Sequence, residues 1–250
     1  MARGVGLISP FLPAFSTPLF LHNERVFFMS IINWLLNEQI HFGSKAIYWR
    51  ELIGGSLGLA SAFLGMRRKI SAWPIGILGD GLLFTVFLGA VFNTTTNTAN
   101  FYGQAGRNLL LILVSVYGWI KWRRNRLANR NEVAPVSPRW TTTRERAILL
   151  PVVVTFYLLA FLLFRSLGES GAWLRVDTWI FTGTALATFG MSRGYVEFWL
   201  VWIAVDAVGV PFAFKNGYYP TGTLYAIYLP FVVWGFISWL RISKVDQKAD

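Results

Sequence analysis

Cysteine is absent from the 250-residue chain, and histidine occurs only as His22 and His41. Without cysteine the chain can form no disulfide, thiolate metal site or cysteine nucleophile, and two N-terminal histidines argue against a histidine-based metal or catalytic centre. Charged residues are also scarce, because they make up 14% of the chain, whereas soluble domains carry about 25%. These deficits exclude a secreted or cytosolic enzyme, and they predict neither a metal site nor a cofactor.

Apolar residues are abundant instead: they make up 54% of the sequence and give a mean hydropathy of +0.48. They occur in blocks of about 20 residues, the length of helix that crosses about 30 Å of hydrocarbon. This pattern predicts an all-α membrane protein with seven transmembrane helices. The predicted spans are 47–66, 72–92, 104–122, 147–167, 176–193, 197–214 and 221–240.

The basic residues predict the orientation of these spans. Lys and Arg total 23, and 15 of them fall on one side of the seven spans, mainly in the linker 123–146 and the tail 241–250. Because basic loops are retained in the cytoplasm, this bias places the linker and the C-terminus inside and the N-terminus outside. It also accounts for the net charge of +11 without nucleic acid as a partner. We interpret the linker as a topogenic loop, with a site for anionic lipid or a partner as the alternative.

Residues 1–46 form a separate N-terminal segment. Pro10, Pro13 and Pro18 interrupt its first apolar stretch, while 25–40 is typical of a short interfacial helix. If 25–40 crosses the membrane, the N-terminus lies inside and the other assignments are unchanged.

An internal repeat relates the first three spans to the last three. Trp73 precedes Asp80 by seven residues, just as Trp199 precedes Asp206, and both pairs are separated by an offset of 126. A single match of this kind arises easily by chance in helices rich in tryptophan. The evidence is the conserved order of several matches along the two halves.

A second match follows downstream, where Tyr-Gly-Trp-Ile-Lys-Trp at 117–122 corresponds to Trp-Gly-Phe-Ile-Ser-Trp at 234–239, at an offset of 117. The matches predict a parallel 3+1+3 repeat, in which 47–122 and 176–240 are three-helix bundles and 147–167 connects them. The connecting span is expected to face lipid and to carry no site residue.

Two carboxylates inside predicted spans, Asp80 and Asp206, mark the candidate site. A charged Asp at mid-helix costs about 2.5–3.5 kcal/mol, so such residues usually serve a function. Trp199, Trp202 and Asp206 are spaced i, i+3, i+7 and share one helix face, as Trp73 and Asp80 do in the related span. Structural carboxylates that accept hydrogen bonds from neighbouring helices are the alternative.

Polar stripes on the third and seventh spans complete the candidate site, because polar side chains are satisfied inside the bundle rather than against lipid. Gln104 and Asn108 lie on the first stripe and Tyr225 on the second. The predicted substrate-binding residues are Trp73, Asp80, Gln104, Asn108, Trp179, Trp199, Trp202, Asp206 and Tyr225. Tryptophans at span ends are assigned to the interfacial belt: Trp119, Trp122, Trp234 and Trp239.

These residue types fit a small aromatic ligand. Flat rings stack on tryptophan, a cationic ring gains about 0.5–2 kcal/mol from cation–π attraction, and Asn, Gln and Asp bind hydroxyl or amide groups. A simple ion would instead require oxygen ligands. The pattern therefore indicates a vitamin-like cation or a nucleoside.

The chain resembles the PnuC family of vitamin transporters over about 45–245. The resemblance is carried by Trp199-Leu-Val-Trp202-Ile-Ala-Val-Asp206, by Trp73-Pro74 and by Tyr117-Gly-Trp119 with Trp122. It implies a SWEET-like fold, a homotrimer in the bacterial inner membrane, and Trp199, Trp202 and Asp206 at or next to the substrate. Many relatives have Asn where this chain has Asp206, and residues 1–44 have no counterpart in shorter relatives.

The resemblance further implies import of nicotinamide riboside by facilitated diffusion for NAD synthesis, with a cytoplasmic kinase trapping the product. We expect uniport by alternating access. Thiamine or riboflavin as substrate is the first alternative, because members for these vitamins share the scaffold. Two alternatives from other classes are a proton-coupled antiporter that uses Asp80 and Asp206 as relays and an intramembrane enzyme with the same two residues as a carboxylate dyad.

Overall fold

The computed structural model describes Phe27, Ser30, Ile31 and Trp34 and the ranges 38–42, 45–88, 102–128, 134–215 and 219–249. Seven helices lie within the ranges: α1 (Trp49–Met66), α2 (Ala72–Phe87), α3 (Tyr102–Ala128), α4 (Thr143–Ser166), α5 (Gly171–Arg193), α6 (Phe198–Lys215) and α7 (Tyr219–Ala249). Each corresponds to one predicted span, so the prediction of seven helices is confirmed. Most of the predicted interfacial helix 25–40 lies outside the described residues.

A small β-hairpin precedes α1, which corrects the expectation of a purely helical chain. Strand β1 (Gln39–Phe42) pairs antiparallel with β2 (Lys45–Tyr48), and Phe42 faces Lys45 in the register. Gly-Ser separates these two residues in the sequence, which is typical of two-residue hairpin turns. The first predicted span, 47–66, therefore begins too early, because its first residues belong to β2. Strands of four residues are at the lower limit of length at which hydrophobic alternation indicates a strand.

Several helices extend beyond their predicted spans. Helix α3 continues to Ala128 and α7 to Ala249, well past the predicted ends at 122 and 240. The part of each helix beyond the predicted end contains several Lys and Arg residues, which are favourable near a helix C-terminus. Helix α4 starts four residues early because Thr142 and Glu145 form a reciprocal capping box.

Length and composition alone mark three of the described helical segments as able to cross a membrane: Thr143–Ser166, Phe198–Lys215 and Gly222–Val245. Ala72–Phe87 is apolar but shorter. Helices α3 and α5 carry charged residues such as Arg107 and Asp177 within the bundle, which lowers their mean hydropathy. Most side chains of α4 are exposed, in keeping with the predicted lipid-facing connector.

The helices pack in two groups. In the first, α1 contacts α2 and α2 contacts α3; in the second, α5 contacts α6 and α6 contacts α7. Contacts of α3 with α5 and of α1 with α7 join the groups, and α4 packs on α5. The central cavity lies where these two groups meet.

Two tryptophans predicted for the interfacial belt lie in the core instead. Trp122 and Trp239 are fully buried, and their indole N–H groups donate to the carbonyls of Ser192 at 3.1 Å and Met66 at 3.0 Å. Trp122 on α3, the last helix of the first group, thus binds the end of α5, the first helix of the second group. Trp239 on α7 binds the end of α1 in the same way. The belt assignment is wrong for these residues because a buried carbonyl at a helix end provides the acceptor that water would supply at the interface.

Residues 134–142 of the linker are ordered along the end of α5. The Arg139 N–H donates to the Gly194 carbonyl at 2.8 Å, and the Arg139 carbonyl accepts from the Val196 N–H at 3.0 Å. Gly194 has a φ of +79°, and a Cβ there would lie 2.5 Å from a Val136 methyl group. Glycine is therefore required at this turn both for its backbone conformation and for close packing.

A charged cluster reinforces this contact. The Arg139 guanidinium donates to both oxygens of Glu145 at 2.6 and 2.8 Å, and the Tyr195 hydroxyl donates to the same carboxylate at 2.6 Å. The hydrogen bond with Glu145 raises the pKa of Arg139 above its ordinary value. We refer to 134–142 with Glu145 and Glu197 as the linker clasp. The linker is thus more than a loop of basic residues, although its position inside the cell stays a prediction.

Replacing Glu197 with alanine is expected to destabilise the linker clasp. Glu197 accepts hydrogen bonds from the Thr141 N–H at 2.9 Å, from the Thr141 hydroxyl and from Arg146 at 3.3 Å. Leaving a partly buried N–H without its acceptor costs about 1–3 kcal/mol, and each kcal/mol lowers the Tm of a chain of this size by about 2–4 °C. Thermal unfolding in detergent measures the shift. The exposed Glu38→Ala variant is the control, and equal Tm values for both variants would show that the clasp contributes nothing to stability.

Candidate functional site

A cavity of about 190 Å³ lies at the centre of the bundle, where α1, α2, α3, α5, α6 and α7 meet. No residue of α4 contributes to its described lining. Most of the predicted site residues are found there: Trp73, Asp80, Asn108, Trp199, Trp202, Asp206 and Tyr225. The structure thus brings together side chains from four helices that the sequence placed on separate spans.

Two predicted residues stand apart. Trp179 is outside the described lining; it is 39% exposed, and its indole N–H points to the carbonyl of Ala204 at 3.4 Å. The side chain of Gln104 lies outside the described residues, so its part in the site stays a prediction. The position of a tryptophan within a span does not tell which neighbouring helix covers it, so the spacing could not show that Trp179 lies outside this lining.

Asp206 is the less solvent-exposed of the two carboxylates that line the cavity. Its residue is 2% exposed, and its Oδ2 atom has no hydrogen-bond partner among the described residues. The i, i+3, i+7 spacing with Trp199 and Trp202 places all three on the cavity side of α6, as predicted. A buried oxygen without a partner is costly unless a ligand satisfies it, so Asp206 is suited to accept a hydrogen bond from a bound molecule.

Trp73 and Trp199 form aromatic walls of the cavity, and each packs edge to face against a second tryptophan that supports it. Trp73 lies edge to face with Trp122, with ring centroids 5.1 Å apart at 87°, and Trp199 packs against Trp239 at 5.5 Å and 75°. Because the supporting indoles are anchored by hydrogen bonds, Trp73 and Trp199 are held in place beside the cavity. Rigid aromatic walls favour a flat ligand, since little side-chain entropy is lost on binding.

The polar stripes also converge on the cavity. Asn108 and Ser115 of α3 are buried and line it. On α7, Tyr228 donates its hydroxyl to the Gly55 carbonyl at 3.2 Å, and the same hydroxyl leaves no room for a side chain at Gly58. The glycines of α1 therefore allow the tyrosine ring to close this side of the cavity.

Arg107 is a lining residue that sequence reasoning missed. It precedes Asn108 on α3, and its Nη1 donates to the Tyr225 hydroxyl at 3.0 Å. Thr184 and Thr188 of α5 line the cavity as well. The rule that marked Asp80 and Asp206, a charge inside a predicted span, would also have found Arg107; the threonines carried no such signal.

A membrane-type helical bundle around a central cavity with aromatic walls and unsatisfied polar groups is typical of a small-molecule transporter. Comparison with known proteins supports this class. A family model described as nicotinamide mononucleotide transporter matches residues 48–241. The chain belongs to this family, the PnuC family of vitamin transporters.

Individual relatives differ in their ligands. The chain is 34% identical to the riboflavin/roseoflavin transporter RibM of Streptomyces davaonensis over 217 residues, which cover 87% of this chain and 96% of that protein. It is 22% identical to the nicotinamide riboside transporter PnuC of Escherichia coli, over 87% of this chain and 95% of that protein. The family and these relatives are transporters, in agreement with the prediction that the chain is not an enzyme.

A solved structure of similar fold is the crystal structure of the vitamin B3 transporter PnuC. It has a TM-score of 0.57 and 22% identity, and the match covers 90% of this chain and 89% of that chain. At this identity the likeness concerns the fold alone. It agrees with the seven-helix arrangement described above.

Proposed function

We propose that this protein carries a flat heteroaromatic vitamin across the membrane, with riboflavin as the first candidate substrate. The observation that carries the proposal is the composition of the cavity, where indole walls surround both a buried carboxylate, Asp206, and a guanidinium, Arg107. The isoalloxazine ring is flat and uncharged and has both N–H and carbonyl groups at its edge. Such a ring can stack on indoles while an acceptor and a donor bind its edge.

The relatives support riboflavin ahead of nicotinamide riboside. The relative named for riboflavin shares 34% of its residues with the chain, against 22% for the Escherichia coli relative named for nicotinamide riboside. Asp80 and Asp206 would also suit the ribityl hydroxyls, because carboxylates accept hydrogen bonds from hydroxyl groups. Nicotinamide riboside, the substrate expected from the sequence, is therefore the second candidate.

Nicotinamide riboside remains the second candidate because of specific features of the cavity. Its pyridinium ring would gain cation–π attraction from Trp199 and Trp202, and Asp206 would provide an opposite charge. Family members named for this substrate match most of the chain. Both candidates place the ligand in the same cavity.

The transport mechanism in this proposal is uniport by alternating access between two three-helix bundles, so that substrate moves down its gradient. The 3+1+3 repeat is supported by equivalent contacts, since Trp73 with Trp122 and Trp199 with Trp239 stand in the same relation in the two halves. Phosphorylation of the vitamin inside the cell would keep the gradient inward. A trimer in the inner membrane with a cytoplasmic C-terminus is part of the same proposal.

Calorimetric titration of the detergent-purified protein tests the substrate. Riboflavin is expected to bind most tightly, followed by nicotinamide riboside, with thiamine weaker and nicotinamide mononucleotide as the charged control. Binding of nicotinamide riboside alone would overturn the first candidate and establish the second. Binding of none of the four would contradict the proposed vitamin site.

Uptake in proteoliposomes tests the mechanism. Uniport predicts that the initial rate of uptake is unchanged when an uncoupler removes the proton gradient. Collapse of uptake would instead support the proton-coupled alternative, in which intramembrane carboxylates act as relays.

A further inference from the structure

Arg107 is the positively charged side chain in the described lining of the cavity, which also includes the carboxylates of Asp80 and Asp206. Its hydrogen bond to Tyr225 joins α3 to α7, and Asp177 and Asp80 attract it electrostatically. The guanidinium is thus held at the cavity wall by groups from other helices. A charge placed this way acts on whatever enters the cavity.

We infer that Arg107 determines the charge of the substrate: it disfavours cationic vitamins and favours an uncharged ring that has carbonyl acceptors. This role rests on the proposed function, since both concern the occupant of the same cavity. It goes further by naming the residue that separates an uncharged flavin from a pyridinium or thiazolium cation.

The physical basis is the fixed charge of arginine in a poorly hydrated site. A guanidinium stays protonated at any physiological pH. Among indoles and aliphatic side chains, charges interact more strongly than in water, so a second cation near Arg107 is repelled. The planar guanidinium can also donate in parallel to a carbonyl and a neighbouring ring nitrogen, which flavins provide.

Because carboxylates also line the cavity, loss of Arg107 is expected to affect the two vitamins in opposite directions. With Arg107 present, its charge offsets part of the negative potential of Asp80, which attracts it electrostatically. Without it, both carboxylates attract a cation while the flavin loses its donor. Removal of the Arg107 charge should therefore weaken the binding of riboflavin and strengthen the binding of nicotinamide riboside. A general loss of packing would weaken the binding of both.

The test compares Arg107→Gln with the wild-type protein by calorimetric titration of riboflavin and nicotinamide riboside. We expect the Kd for riboflavin to rise about tenfold and that for nicotinamide riboside to fall about tenfold. Arg175→Gln is the matched control, because Arg175 is an exposed arginine of α5 outside the described lining. It should change neither Kd.

Arg107→Lys separates charge from shape and remains informative if the glutamine variant does not fold. Lysine keeps the charge but lacks the planar pair of donors, so riboflavin should bind more weakly while the Kd for nicotinamide riboside stays within about threefold. A tenfold or greater gain in nicotinamide riboside binding by the lysine variant would overturn the role of charge.

The Kd values distinguish a failure of this inference from a failure of the proposed function. If the wild type binds nicotinamide riboside and not riboflavin, the first candidate substrate is wrong, whereas a still lower Kd for nicotinamide riboside in Arg107→Gln upholds the role of Arg107. If Arg107→Gln leaves the ratio of the two Kd values unchanged, or leaves the Kd for nicotinamide riboside unchanged where riboflavin does not bind, the inference is overturned.

Discussion

Replacing Asp206 with alanine is expected to reduce vitamin uptake by about 10- to 150-fold while leaving the protein as stable as the wild type or more so. The reduction follows from the loss of a charge-assisted hydrogen bond to the ligand, which is worth about 1.5–3 kcal/mol. Stability is expected to hold because the carboxylate is buried and its Oδ2 has no partner among the described residues, so its removal relieves a desolvation cost. Uptake in proteoliposomes and thermal unfolding in detergent measure the two effects.

Two further variants sharpen this test. Asp206→Asn keeps the size and one acceptor oxygen, so it should retain measurable uptake. Thr182→Val removes another buried group without a partner in the described structure, but Thr182 lies outside the described cavity lining. It should leave uptake unchanged. Uptake by Asp206→Ala within about twofold of wild type would remove Asp206 from the substrate site.

Gly118→Ala and Gly235→Ala are expected to destabilise the bundle strongly and to similar extents. A Cβ at Gly118 would lie 2.5 Å from the Trp73 ring, and one at Gly235 would lie 2.4 Å from the Trp199 ring. Both indoles are buried and supported by a second indole, so neither can move aside. Overpacking of this kind costs about 1–3 kcal/mol or more, which corresponds to a fall in Tm of about 2–12 °C.

The matched control is Gly106→Ala, because a Cβ at this helical glycine meets nothing within 4 Å in the structure. Alanine in an open helical position stabilises by about 0.5–1 kcal/mol, so this variant should have an equal or higher Tm. If Gly118→Ala were as stable as Gly106→Ala, the indoles would not be held rigidly. A large difference between Gly118→Ala and Gly235→Ala would argue against equivalent halves.

Several residues of the site could be predicted from the sequence because a charged side chain is costly inside a membrane span and usually serves a function there. Asp80 and Asp206 stood out inside apolar spans, and helical spacing connected Asp206 to Trp199 and Trp202. The same spacing could not show which tryptophans are covered by a neighbouring helix. For this reason the spacing did not show that Trp122 and Trp239 lie in the core or that Trp179 lies outside the cavity lining.

By itself, the sequence determined the number of helices, the family and several aromatic and polar residues of the cavity, since each depends on local hydrophobicity, helical spacing or a short motif. Only the tertiary structure decided how Arg107 meets Tyr225, how Trp122 and Trp239 bind helix ends in the other group, and how the linker clasp docks. These contacts join residues far apart in the chain. Hydrogen-bond partners and close packing depend on which helix faces are brought together, and helical periodicity within one span does not contain that information.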